Sequence, residues 1–94
     1  MNATQTDYVK ARALYETLRA VNPDSDDTWQ AFELMHAAGD RVIAMAEFVM
    51  KSTTPDRYEQ VAIFFSDKAK RNPANRQRLI DICMRLDTQA EVTI

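Results

Sequence analysis

The side chains that come closest to forming a metal site or a nucleophilic site are His36, Asp40 and Cys83. On one continuous helix His36 and Asp40 share a face, but they supply only two of the four ligands that structural zinc requires. Cys83 with His36 would make a nucleophile–base pair, yet no third side chain stands out to orient the base. Since Gly39 is the only glycine, there is no glycine-rich loop for phosphate. We therefore expect no enzyme activity, no metal, no cofactor and no small-molecule substrate.

A basic segment is the second candidate site. Its five basic side chains fall within eleven residues, and they are Lys68, Lys70, Arg71, Arg76 and Arg78. Residues 75–77 add side-chain types that read base edges in DNA. The segment therefore allows a small DNA-binding regulator with a helix-turn-helix-like pair over 55–71 and 73–87. The absence of a turn glycine and the net charge of −2 disfavour that function. Solvated charge and contact with an acidic protein surface stay open as alternatives.

The strongest functional signal is an excess of apolar side chains in the second helical stretch. Fifteen of the twenty-four residues from 27 to 50 are apolar. At about 100° per residue, a continuous helix would carry them as two opposite stripes, one around Phe32 and Val42 and the other around Leu34 and Phe48. A helix that is apolar on two sides is either central in its fold or covered by a partner.

Further apolar side chains fall off the buried faces of the later helices and extend the predicted contact surface. The apolar residues that we expect to contact a partner are Leu34, Phe48, Ile63, Phe64 and Met84. The basic segment and the acidic first half of the chain would steer the partner's orientation. We therefore expect a non-enzymatic protein that binds another protein as an adaptor, inhibitor or scaffold, or that forms a homo-oligomer such as a homodimer. DNA binding is the alternative.

Helices must position these residues, because apolar side chains recur with a helical period and a single glycine argues against tight hairpins. Cap and proline signals stand at Thr4–Asp7, Asn22–Asp27, Thr54–Pro55 and Asn72–Pro73. They predict an all-α fold, a compact bundle of four helices without strands, or of five helices if the second breaks at Gly39. We expect one helical domain over 1–87 and a frayed C-terminal tail over 88–94.

Composition bounds the class of protein and its compartment. The 94 residues are 46% apolar and 28% charged, as is typical of a soluble globular chain. No apolar run reaches the ~18–20 residues of a membrane span, and the first residues lack the pattern of a signal peptide. With Cys83 as the only cysteine, no internal disulfide forms, so we expect a cytoplasmic protein without membrane partners. Residues 1–47 carry four basic and eight acidic side chains, a net −4, whereas 48–94 carry eight and six, a net +2.

One stretch resembles a known family. The sequence Asn22-Pro23-Asp24, followed by a helix that opens with Trp29, resembles the junction between tetratricopeptide repeats. Further along, Ala44 and Phe48 stand at that family's spacing of small and aromatic residues, although Glu33 occupies a position where the family has a small residue. The resemblance covers about half the chain, without a full ~34-residue period. It implies stacked helical hairpins and a peptide-binding groove.

Overall fold

The computed structural model describes the backbone of residues 2–93 and the side chains of residues 2–85. The α-helices are α1 (Ala3–Val21), α2 (Asp26–Thr53), α3 (Pro55–Val61), α4 (Asp67–Arg71) and α5 (Pro73–Thr93), and a single turn of 3₁₀ helix (Ala62–Phe65) separates α3 from α4. Residues 2–93 form no strand. The prediction of an all-α fold is therefore confirmed.

The chain divides into two compact units, residues 1–41 and residues 42–94. The first unit holds α1 and the first part of α2, and the second holds the rest of α2 and the later helices. One helical domain over 1–87 stays a prediction. So does the frayed tail over 88–94, because its side chains lie outside the described residues.

The first helix begins with a reciprocal cap at Asn2, two residues before the hydroxyl signal at Thr4–Asp7. The Asn2 side chain accepts a hydrogen bond from the Gln5 backbone N–H at 2.8 Å, and the Gln5 side chain accepts one from the Asn2 N–H at 3.1 Å. This capping box satisfies two of the free N–H groups of the first turn. It also gives the fully buried Gln5 side chain the partner that a buried amide requires.

The turn at 22–25 joins α1 to α2 through one buried hydroxyl. The Thr28 hydroxyl donates to the Asn22 carbonyl at 2.6 Å, and the Thr28 backbone N–H donates to the Ser25 hydroxyl at 3.2 Å. Ser25 is therefore the side chain that caps α2. Asp26 and Asp27 stand in the first turn of α2, where their negative charge interacts favourably with the helix dipole and stabilises the helix. Within the first unit, these bonds fix the start of α2 against the end of α1.

Helix α2 runs without a break through Gly39, which settles the alternative that the sequence left open. Gly39 has no positive φ, so it does not form the left-handed C-terminal cap that a break would use. It is buried, next to the buried Ala38. A glycine in a helix interior costs about 1 kcal/mol relative to alanine, and the length of α2 shows that this cost is offset.

The helix predicted over 55–71 is not continuous, and this prediction is wrong. The backbone leaves the helix at Ser66, which is extended at φ −66° and ψ 154°, and the Ser66 hydroxyl accepts from the Ala69 N–H at 3.2 Å. Serine followed by aspartate is a strong N-cap combination, so a new helix, α4, begins at Asp67. The 3₁₀ turn before it buries Phe65 and leaves Ile63 and Phe64 exposed.

On α5 the helical period predicts that Leu79, Ile82, Cys83 and Leu86 face inward, and the structure differs at one of these residues, Ile82. Leu79, Ile80 and Cys83 are buried, whereas Ile82 is 47% exposed. Leu86 lies outside the residues whose side chains are described. Among the residues of the second unit whose side chains are described, the other buried apolar residues are Val42, Ile43, Ala46, Met50 and Phe65. Because Ile82 faces outward, α5 presents an apolar side chain at the surface.

Candidate functional site

The apolar residues predicted to bind a partner are largely at the surface. Leu34 is 60% exposed, Phe48 70%, Ile63 72% and Phe64 60%, and Met84 is half-buried. Leu34 belongs to the first unit and the other four belong to the second. Because water-exposed aromatic and aliphatic side chains are unfavourable when they cluster, such side chains mark candidate contact surfaces.

One of these residues, Phe64, lines a groove in the second unit, which we name the α4–α5 groove. The groove has a volume of about 210 Å³, and its lining residues are Phe64, Ala69, Asn75, Arg78, Leu79 and Ile82. The 3₁₀ turn supplies the first of these residues, α4 the second, and α5 the rest. The lining of the groove is therefore mostly apolar, with one side-chain amide and one guanidinium.

Two caps position the walls of the α4–α5 groove. The Ser66 hydroxyl caps α4, and the Asn72 side chain caps α5 by accepting from the backbone N–H groups of Ala74 at 3.0 Å and Asn75 at 3.2 Å. The 3₁₀ turn packs on α4, and α4 packs on α5. Since both helices start at fixed points, the groove is held by local hydrogen bonds and not by long loops.

The basic segment contributes one residue to the lining of this groove. Arg78 lines it, Lys68 and Arg71 are exposed, and Lys70 and Arg76 are half-buried. Lys70 lies 3.9 Å from Asp67, which is the only acidic residue among residues 66–78, against five bases. The structure thus brings together one predicted apolar residue, Phe64, and one predicted basic residue, Arg78, within a strongly positive stretch.

The helix-turn-helix-like pair takes a different form from the one that the sequence predicts. Its first helix over 55–71 is divided, and the part that precedes α5 is the five-residue α4. Among the residues with base-reading side chains, Gln77 donates to Asp81 at 3.1 Å. The two-helix frame that places a recognition helix in the major groove is therefore not formed over the predicted ranges.

A second concave site, which the sequence analysis did not predict, lies in the first unit, and we name it the aromatic pocket. Its volume is about 130 Å³, and its lining residues are Tyr15, Pro23, Thr28, Trp29 and Phe32. The helical period places Trp29 and Phe32 on the same side of α2, but Trp29 is 61% exposed. The signal that could have found the pocket is the spacing of three between these two rings, directly after a proline turn that returns the chain to Tyr15.

The residues considered for metal or nucleophile chemistry belong to different units, His36 and Asp40 to the first and Cys83 to the second. His36 Nδ1 lies 3.6 Å from Asp40 Oδ2, with both side chains at the surface of the first unit. Cys83 is fully buried in the second unit. Among the residues that the structure describes, no group of three or more His, Cys, Asp or Glu side chains is placed to hold a metal ion. Within the same residues, no helix combines the length and apolar character needed to cross a bilayer.

One polar cluster joins the end of α2 to α3. The Tyr58 hydroxyl donates to the Glu47 carboxylate at 2.6 Å, and Lys51 Nζ lies 5.1 Å from the centre of the Tyr58 ring. The hydrogen bond to Glu47, followed by partial burial and the carboxylate's negative charge, raises the pKa of Tyr58 above its ordinary value. The Tyr58 ring also contacts Phe65 at 5.7 Å between centroids. This cluster anchors α3 and the 3₁₀ turn, and hence the segment that carries Phe64.

Comparison of the chain with protein-family models, with curated proteins and with solved structures gives no match in any of the three. The resemblance to tetratricopeptide repeats therefore stays a prediction. Function has to be argued from the chemistry of the sites themselves, since an all-α fold alone does not imply an activity.

Proposed function

We propose that this protein acts without catalysis, by binding a partner protein through the α4–α5 groove. The observation that carries the proposal is that the exposed side chains of Phe64 and Ile82 line one groove together with Arg78. Large apolar side chains around a concave site are the usual anchors of a protein interface. Depending on what the partner does, the protein is an adaptor, an inhibitor or a scaffold.

Charge selects the partner. Residues 66–78 carry five bases and one acid, so the complementary surface is an acidic amphipathic segment. Its apolar side chain would occupy the space between Phe64 and Ile82, and its carboxylate would pair with Arg78. Apolar contact supplies affinity in this arrangement, whereas the surrounding bases raise the association rate and fix the orientation. We place this activity in the cytoplasm, because a protein with one buried cysteine and no disulfide is typical of that reducing compartment.

A designed peptide tests the proposal directly. The probe is an acidic amphipathic helix about four turns long, and its counterpart carries lysine in place of every glutamate. We expect the acidic peptide to shift the NMR resonances of residues that line the groove, and the basic peptide to leave them in place. Phe64→Glu should weaken binding at least about tenfold, the range of an interface anchor.

Phe48→Glu is the matched control, because Phe48 is equally aromatic and more exposed than Phe64 but does not line the groove. It should bind the peptide like the unaltered protein. Equal binding of the acidic and basic peptides, or equal losses in the two variants, would contradict the proposal. Concentration-dependent light scattering that Phe64→Glu abolishes would instead make a second copy of this chain the partner. Salt-sensitive binding of duplex DNA by the unaltered protein would favour the alternative function, a small DNA-binding regulator.

A further inference from the structure

The aromatic pocket of the first unit has the features of a site for an organic cation. Tyr15 and Phe32 approach to 5.5 Å between ring centroids at an interplanar angle of 61°, and Trp29 and Phe32 approach to 6.0 Å at 81°. All three rings line the pocket. In an edge-to-face pair the ring that contacts its neighbour by an edge keeps both of its faces free of that neighbour, and a free aromatic face attracts an ammonium group.

Local hydrogen bonds form the pocket in advance of any ligand. Thr28, one of its lining residues, bonds through its hydroxyl to the Asn22 carbonyl at the end of α1 and through its N–H to Ser25. Thr28 is 3% exposed, so these bonds are shielded from competing water. A preformed site does not have to spend binding free energy on ordering its own side chains.

The charge around the aromatic pocket has the sign that a cation needs. Residues 15–32 contain four carboxylates and one base, Arg19. Three of the carboxylates belong to Asp24, Asp26 and Asp27, which are exposed and make no ion pair among the residues that the structure describes. The three negative charges exceed the roughly +0.5 charge that the dipole places at the N-terminus of α2. The net potential there is therefore negative, which disfavours an anionic ligand and concentrates a cationic one.

We infer that the aromatic pocket binds an alkylammonium group, held by the faces of Tyr15, Trp29 and Phe32 and by the negative potential of the aspartates that follow Pro23. Such a group is the head of a lysine side chain in a basic peptide, with or without methyl groups, or of a free quaternary amine. This inference concerns the first unit and does not depend on the proposed function of the α4–α5 groove.

The only tryptophan of the chain, Trp29, lines the pocket and makes the test direct. Choline is titrated against Trp29 fluorescence, beside its uncharged analogue in which a tert-butyl carbon replaces the ammonium nitrogen. The two molecules have the same shape, so a difference between them measures the charge. We expect saturable quenching by choline and at least about tenfold weaker binding of the analogue. Equal binding of the two would show an apolar pocket and overturn the inference, as would absence of quenching by every ammonium probe.

Three further probes distinguish the sources of the ammonium group. They are short peptides that carry lysine, trimethyllysine or norleucine at one position in an otherwise neutral sequence. Tighter binding of a lysine or trimethyllysine peptide than of choline would identify a peptide ligand, and tighter binding of choline would identify a free amine. A norleucine peptide that binds as well as the lysine peptide would overturn the inference.

Variants locate the binding in the pocket. Trp29→Leu, followed by NMR because the fluorophore is lost, should weaken choline binding at least about tenfold, and the exposure of Trp29 means that the fold should tolerate the change. Asp26→Asn and Asp27→Asn, each made alone, should also weaken it, by a smaller factor than Trp29→Leu. The matched control is Asp7→Asn, which removes the same charge two helical turns before Tyr15, about 12 Å away along α1. Equal losses in the control and the pocket variants would contradict a localised site.

Discussion

The two units of the chain expose apolar side chains beside charge of opposite sign. In the first, the rings of Tyr15, Trp29 and Phe32 line a pocket beside unpaired aspartates. In the second, Phe64 and Ile82 line a groove together with Arg78. The apolar parts alone would not distinguish one ligand from another, since apolar attraction has no direction or sign. The neighbouring charges therefore decide which ligand each site binds. The aromatic pocket should bind a cation, and the α4–α5 groove should bind an acidic segment.

The largest expected effect tests whether the groove is surface and not incomplete core. Ile80 and Ile82 lie two positions apart on α5, and Ile80 is fully buried while Ile82 is half exposed. Ile80→Ala should lower the free energy of unfolding by about 3 kcal/mol, because it leaves a cavity. Ile82→Ala should cost less than about 1 kcal/mol yet weaken binding of the acidic peptide. Urea unfolding and peptide titration measure both quantities, and the reverse ranking of the two stabilities would place Ile82 in the core.

Charge reversal is the next largest effect and tests the selection by sign. Arg78→Glu should weaken binding of the acidic peptide by at least about tenfold, or about 1.4 kcal/mol, since it replaces an attraction by a repulsion. It should leave choline binding at the aromatic pocket unchanged. The measurements are isothermal titration of the peptide and Trp29 fluorescence with choline.

Lys10→Glu, on α1 of the first unit, is the control for this reversal, because it changes the net charge of the chain by the same amount. If Lys10→Glu weakens peptide binding as much as Arg78→Glu does, the effect comes from the overall charge of the protein. That result would contradict specific recognition of the acidic peptide by the α4–α5 groove.

A smaller effect tests whether the aromatic pocket is preformed. Thr28→Val keeps the shape of the side chain but removes the donor to the Asn22 carbonyl, and it should cost about 1 kcal/mol of unfolding free energy. Choline binding should weaken with it, because the start of α2 is then less firmly held to the end of α1. Thr17→Val is the matched control, since the exposed Thr17 hydroxyl bonds the Ala13 carbonyl of its own helix. A Thr28→Val protein with unchanged affinity for choline would show that the pocket does not depend on this bond.

Much of the frame follows from the sequence, because caps and prolines act locally. Asn22-Pro23, Thr54-Pro55 and Asn72-Pro73 each mark an observed helix boundary. The break at Ser66 also has a local cause, the serine–aspartate cap, but it interrupts a run of apolar residues that reads as one helix. The sequence pattern assigns Ile82 instead of Ile80 to the buried side of α5, because the two side chains are chemically identical. Only the packing of neighbouring elements decides which of them is buried.

The candidate sites were less predictable than the helices for a physical reason. Exposure of Phe64 follows from the apolar excess, but the groove beside it exists only because the 3₁₀ turn ends where α4 begins. The aromatic pocket needs Tyr15 from one helix and Trp29 from the next, and periodicity within a single helix carries no information about that meeting. Surfaces formed between elements are therefore the part that sequence patterns miss.

The smallest effect is a pH dependence of the second unit alone, at Tyr58. Its hydrogen bond to Glu47 raises the pKa of the folded state above that of the unfolded chain. The stabilisation is therefore fully present below the ordinary tyrosine pKa of about 10 and is lost as the pH rises through the folded pKa. The difference in unfolding free energy between the unaltered protein and Tyr58→Phe should shrink over that interval. In Glu47→Gln, NMR of labelled tyrosine should find the Tyr58 pKa closer to its ordinary value, and an unchanged pKa would exclude the Glu47 bond as the main cause.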